Sequence, residues 1–225
     1  MCRALALLVA FLLLVVTGSR GAIILPGQVA NFQDGTTQGW VTGPIAPAPS
    51  NIATGGPAGA GDRYLQITSD GNHLAVFNPN QWAGDYQTAG VMDIGVDFRN
   101  PNPNTLANIA DMRIVLFGPS GSRWSSTNFL TVAPDSLWHH YTFSLRQSDL
   151  TQVVVGDTYA GTITAVDRLM FRHDNGVTPN QGGTFYNGSL GIDNVTALPE
   201  PAGLLSMIGM VGVGALRRHR RHRHR

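Results

Sequence analysis

The chain has 225 residues, 43% hydrophobic and 8% aromatic, with one cysteine and a formal net charge of +1. That near-neutral total hides a division: six of the fifteen arginines fall within residues 217–225, whereas residues 22–198 carry seven arginines against thirteen aspartates, with no lysine and no glutamate, a formal charge of −6. An acidic central region excludes the basic surface that nucleic-acid binding requires, and a lone cysteine at position 2 excludes an intrachain disulfide, so the fold must rest on a hydrophobic core.

At the N-terminus, Met1-Cys2-Arg3 gives a cationic start, residues 4–16 are thirteen apolar residues in a row, and Thr17-Gly18-Ser19-Arg20-Gly21-Ala22 supplies small residues. This pattern predicts a removable signal peptide over 1–22; the alternative, a retained membrane anchor, needs about 17 to 25 apolar residues. Cys2 lies before the apolar stretch, the wrong side for acylation at a cleavage point.

Residues 23–197 read as one all-β domain, an antiparallel β-sandwich. Apolar and polar residues alternate in Arg63-Tyr64-Leu65-Gln66-Ile67-Thr68, in 73–77 and in 91–98, the period of a half-buried strand. Further strands are predicted at 112–117, 128–132, 138–145, 163–171 and 189–197, and turns at Asp70-Gly71-Asn72, Gly118-Pro119-Ser120-Gly121 and Asp174-Asn175-Gly176. Residues 43–61 and Asn100-Pro101-Asn102-Pro103-Asn104 read as loops, because proline cannot donate to a sheet ladder. Nine or ten strands at this spacing suit a sandwich.

After the domain, at 198–225, Leu198-Pro199-Glu200-Pro201 precedes fifteen mostly apolar residues, 202–216, expected as a short hydrophobic helix, and then an Arg/His run. During export such an apolar segment stalls in the bilayer with the arginines held on the cytoplasmic side. The two prolines are expected to keep this segment, with Glu200, the protein's only glutamate, out of helix and sheet, as an extended, accessible stretch at the outer face. This tail resembles the PEP-CTERM sorting signal. The resemblance implies that Pro199, Glu200 and Pro201 are the motif read by an exosortase-type sorting enzyme, 202–216 a transient membrane span, and Arg217, Arg218, Arg220 and Arg221 part of the stop signal. It further implies the export translocon as a partner and the cell envelope, cell surface or extracellular matrix as the destination. A permanent membrane anchor is the alternative.

The ends of the domain, Asn31-Phe32-Gln33-Asp34-Gly35-Thr36-Thr37-Gln38-Gly39-Trp40 and Gly191-Ile192-Asp193-Asn194-Val195, resemble those of laminin-B-type and carbohydrate-binding jelly rolls. The resemblance implies a glycan such as an exopolysaccharide as ligand, and a structural calcium held near the first and last strands, with Asp34 and Asp193 as the matching residues. Flat aromatics that could stack on a pyranose are Trp82, Tyr86 and Trp124, with Asp85, Asn80 and Arg123 nearby in sequence; burial in the core is the competing role for each. Trp40 and Trp138 are assigned to the core. His139 and His140 occupy adjacent strand positions and face opposite sides, one at the surface and one packed, so they are not expected to share a metal.

No catalytic residue is assigned. The domain has no glutamate for an acid/base pair, no H-E-x-x-H and no G-x-S-x-G. The expected function is that of a non-catalytic, glycan-associated exported protein. The alternatives are a secreted polysaccharide hydrolase or lyase working through aspartates, and an anchored adhesin.

Overall fold

The computed structural model describes residues 24–200. The expected signal peptide at 1–22, Pro201, the apolar span 202–216 and Arg217, Arg218, Arg220 and Arg221 lie outside the described residues. The first sheet contains β1 (Val29–Ala30), β2 (Ser50–Ile52), β3 (Tyr64–His73), β5 (Val91–Arg99), β9 (Trp138–Ser144) and β12 (Phe185–Pro199), in the order β2-β3-β12-β5-β9 with β1 also on β12. The second contains β4 (Ala75–Asn78), β6 (Ala110–Phe117), β7 (Arg123–Ser126), β8 (Leu130–Val132), β10 (Leu150–Val154) and β11 (Arg168–His173), in the order β10-β7-β6-β11-β4 with β8 on β6. Every pairing is antiparallel. The all-β antiparallel sandwich expected from the sequence is the architecture observed.

Alternation drives the packing. In β5, Ile94, Val96 and Phe98 are fully buried, while Asp93, Asp97 and Arg99 occupy the opposite face. In β6 and β11, Met112, Ile114 and Leu116 meet Leu169 and Phe171 on the inner side. Aromatic rings bridge the sheets: Trp40 stacks on Phe171 at 5.5 Å and 16°, and Phe98 meets Phe171 edge-on at 5.5 Å and 88°, geometries that add to the value of burial alone.

The long strand β12 changes partner midway. It pairs with β3 as far as Ile192 opposite Leu65, then with β1 from Val195 opposite Ala30. At the change its register against β5 slips between Asp193 and Thr196, and Asn194 takes a φ of 48°. This bulge re-phases the alternation, so that Val195 and Ala197 return to the core after Leu190 and Ile192.

Four local expectations need correction. Asp70-Gly71-Asn72 lies inside β3, where Gly71 at φ 83° accommodates a register shift against Tyr186 and Asn187 rather than a chain reversal. The strand expected over 163–171 is divided: Tyr159–Ile163 forms a short helix, α2, because the Thr158 side chain accepts from Gly161 N and caps it, and β11 begins only at Arg168. The loop expected at 43–61 contains β2. The segment expected to stay out of the sheet also enters it: β12 continues through Leu198 and Pro199, which face Asp93 and Val91, and Glu200 N donates to Gly90 O at 2.8 Å. Among the described residues no helix is long and apolar enough to cross a membrane.

Candidate functional site

The four residues proposed from sequence as a sugar platform do not form one. Trp82 and Tyr86 are fully buried: the Trp82 ring lies 6.0 Å from Trp40, and Tyr86, on the helix α1 (Tyr86–Ala89), donates its hydroxyl to Trp82 O at 2.9 Å. Burial pushes the Tyr86 phenol well above its ordinary pKa. Trp124 is 9% exposed; it shares the inner face with its register partner Leu116 and meets Tyr159 edge-on at 5.7 Å. Asp85 caps α1, accepting from Thr88 N at 2.8 Å and Thr88 Oγ1 at 2.6 Å. Asp85 and Asn80 do line an open groove of about 1160 Å³ at one end of the sandwich, whose wall contains no aromatic ring. Aromatic stacking on a sugar therefore has to be sought elsewhere.

The two calcium candidates differ in their surroundings. Asp34 is exposed, and Thr36 occupies its carboxylate through N and Oγ1, both at 2.9 Å, which closes the local turn and holds the acid below its usual range. Asp193 is 1% exposed. Its Oδ1 accepts from Asn194 N at 2.7 Å, its Oδ2 has no partner, and burial, reinforced by Asp62 and Asp97, pushes its pKa to about 7. Among the described residues no three His, Cys, Asp or Glu side chains gather as a metal site. An orphaned carboxylate oxygen at Asp193 suits a hard cation, whereas Thr36 engages both carboxylate oxygens of Asp34.

The outer face of the first sheet carries acids paired with basic side chains. Asp93 pairs with Arg146 at 2.9 Å, and Asp97 accepts from Asn194 Nδ2 at 2.8 Å and contacts His140 Nδ1 at 2.7 Å. Trp138, expected in the core, is half-buried on this outer face, where it donates to Gly55 O at 2.9 Å and meets Tyr64 edge-on at 5.2 Å across Gly191. Neither histidine packs in the core: the side chains of His139 and His140 are 42% and 60% exposed, each beside an aspartate.

The outer face of the second sheet differs. Four of the domain's seven arginines lie on it: Arg113, Arg123, Arg168 and Arg172. Registers place Arg123, Phe117 and Arg168 side by side in one row, and Ser125, Val115, Met170 and Phe77 in the next. Arg113 and Arg172 form the third row. They are buried beneath residues 174–182, sharing the buried Asp174 carboxylate at 3.5 and 3.3 Å, and Arg172 donates to Gln181 O at 2.7 Å. Desolvation lowers Arg172 to a pKa of about 10 despite Asp174.

The first two rows remain accessible through half-buried Phe77, Met170, Arg123 and Arg168. The Arg123 and Arg168 guanidinium carbons lie 4.8 and 4.2 Å from the Phe117 ring centre, and Arg168 is also 5.1 Å from that of Phe77. Two flat cations on an aromatic floor can stack on a sugar ring and donate to its oxygens. Sequence reasoning singled out Arg123 alone. The alternation of Arg168, Met170 and Arg172 was visible, but the register that sets Arg168 and Arg123 on either side of Phe117 was not.

No protein-family model and no curated protein sequence matches this chain. Solved structures resemble it in fold. An exo-beta-agarase aligns with a TM-score of 0.55 at 9% identity over 78% of this chain and 25% of that one, so the chain spans about a quarter of the agarase's length. The family 11 carbohydrate-binding module from Clostridium thermocellum, in complex with a beta-1,3-1,4-mixed-linked tetrasaccharide, aligns with a TM-score of 0.50 at 14% identity over 78% of this chain and 99% of that module. At these identities the likeness is one of fold: the domain has the sandwich of a carbohydrate-binding module.

Proposed function

We propose that the domain is a non-catalytic glycan-binding module of an exported surface or matrix protein, and that it binds through the outer face of its second sheet. The observation that carries this reading is the accessible strip of Phe77, Met170, Arg123 and Arg168, laid over buried Phe117 on a sandwich of the carbohydrate-binding type. The hydrolase alternative would draw on Asp193, whose raised pKa suits a general acid, but that carboxylate is buried and lies outside the groove. Loss of polysaccharide retention in Phe77→Ala, with an unchanged thermal midpoint, tests the binding reading. Retention equal to the parent refutes it.

In the same reading the tail is a sorting signal. Its supports are the sequence order at 198–225 and the geometry of Glu200, whose side chain is 65% exposed just beyond the end of β12. Mass spectrometry of the surface-localised protein is expected to find a C-terminus near Pro201, and an intact Arg225 sinks the assignment. Calcium is assigned to Asp193 alone of the two original candidates, because Asp193 has the free oxygen. Its expected signature is a higher thermal midpoint when calcium is added to EDTA-treated protein, absent in Asp193→Asn; no shift in the parent removes the assignment.

A further inference from the structure

We infer that the glycan taken by this face is anionic, its carboxylate or sulfate group received between Arg123 and Arg168 above Phe117. The inference rests on the glycan-binding reading and adds the chemical class of ligand.

The charge distribution is its starting point. A domain with seven arginines and thirteen aspartates places four of the arginines on one sheet face, with Asp111 and Asp174 at one end of that face and Asp167 at the other. Asp174 is fully committed. It neutralises one of the two buried guanidiniums of Arg113 and Arg172, and it also accepts from Gly176 N and Asn180 N. Asp111 accepts from Thr131 Oγ1 at 2.7 Å, at the β8 end of β6. The first row is left with a single carboxylate beside it. Among the described residues no carboxylate lies within ion-pair distance of Arg123, and the only one near Arg168 is its chain neighbour Asp167, at 3.9 Å and 59% exposed.

The two cations flank one ring. Both sit over the same Phe117 ring, and each keeps a buried Nε without a hydrogen-bond partner. Arg123 spends one N–H on Gln181 O at 3.0 Å. Burial and the charge of Arg168 together lower the Arg123 pKa, the sign of a cation that lacks a counter-charge. An anion between them would relieve that repulsion and take paired N–H donors in the planar geometry that suits carboxylate and sulfate oxygens. Phe77, beside Arg168, would lie under the adjoining sugar ring. Because the rest of the domain is acidic, the positive charge is confined to this face and does not extend into the broad basic surface that nucleic-acid binding requires.

The test uses the full-length protein in affinity electrophoresis and calorimetry with a polyuronate, a sulfated galactan, neutral agarose, a neutral mixed-linkage β-glucan and an oligothymidylate. Binding to at least one acidic polysaccharide is expected, and which one distinguishes carboxylate from sulfate. Affinity should fall about tenfold or more between about 50 and about 300 mM salt, and about tenfold in Arg168→Gln and in Arg123→Gln. Thermal midpoints check that each variant is folded; if one fails, the other carries the test. Salt-independent binding to a neutral polymer, with both variants unaffected, overturns the anionic inference and leaves the glycan reading standing. Binding to none of the polysaccharides removes both. Preference for the oligothymidylate also overturns the inference.

Discussion

Removing the Asp174 carboxylate probes the packing beneath the proposed binding face. Asp174 is fully buried and stands 3.5 Å from Arg113 and 3.3 Å from Arg172, themselves 0% and 2% exposed. Its oxygens also accept from Gly176 N at 3.2 Å, Asn180 N at 3.1 Å and Asn180 Nδ2 at 3.2 Å, which fastens residues 174–182 over the sheet. In Asp174→Ala two buried guanidiniums lose their only shared counter-charge. Breaking a buried pair from one side costs about 3–5 kcal/mol, a fifth or more of the roughly 5–15 kcal/mol that holds an ordinary domain. The backbone carbonyls of Asp174, Ser126 and Gln181 still accept from the two arginines, so the lower part of that range is expected. Urea unfolding at neutral pH, followed by the fluorescence of buried Trp40, Trp82 and Trp124, reads the loss directly. Asp174→Asn keeps the hydrogen-bond acceptor and should fall between. A loss below about 1 kcal/mol in Asp174→Ala, within the range of an exposed ion pair, would refute the reasoning.

Asp193 should make stability fall with pH. Its folded-state pKa is about 7 against 3.8 for the free group, so between those values the unfolded chain has released a proton that the folded chain keeps. In EDTA, stability is therefore expected to decline from about pH 4 to about pH 7 and then level off, by no more than about 4 kcal/mol. Asp193→Asn should lack this decline in urea titrations, and a parent-like slope in the variant contradicts the assignment. Trp82→Ala should cost about 3–5 kcal/mol as a core truncation, while the folded variant retains polysaccharide like the parent; a selective loss of retention would return Trp82 to the binding face. Gly191→Ala brings a Cβ to 2.9 Å from Trp138 and 3.3 Å from Tyr64. Overpacking there should cost about 1–3 kcal/mol, and a thermal midpoint equal to the parent's would mean that the two rings move apart freely.

The architecture was legible because alternation is a local signal. Residues 91–98 wrote their buried and outward faces directly, and β5 follows them. Short strands with few alternating positions were not legible: β1 and β2 have two and three residues, and β7 places Ser125 and Ser126 in buried positions that composition reads as loop. The site was misread for a related reason. Trp82 and Tyr86 sit among Asn, Gln, Gly and Asp residues, a polar neighbourhood that suggests exposure, yet the chain folds both rings into the core, Trp82 beside Trp40. Arg113 and Arg172 show the opposite effect, charged residues that the structure buries around a single aspartate. Cross-strand neighbours such as Arg123, Phe117 and Arg168 come from distant segments, and only the registers of β6 with β7 and β11 bring them together.

The central claim is that glycan is held on the outer face of the second sheet, and mapping amide chemical shifts during titration with an acidic oligosaccharide tests it most directly. The account predicts saturable shifts centred on Phe117, Arg123, Arg168, Met170 and Phe77, with Trp138 and His140 on the opposite face unmoved. Shifts centred on Trp138 and Tyr64, or on the groove at Asn80 and Asp85, with β11 silent, would contradict it.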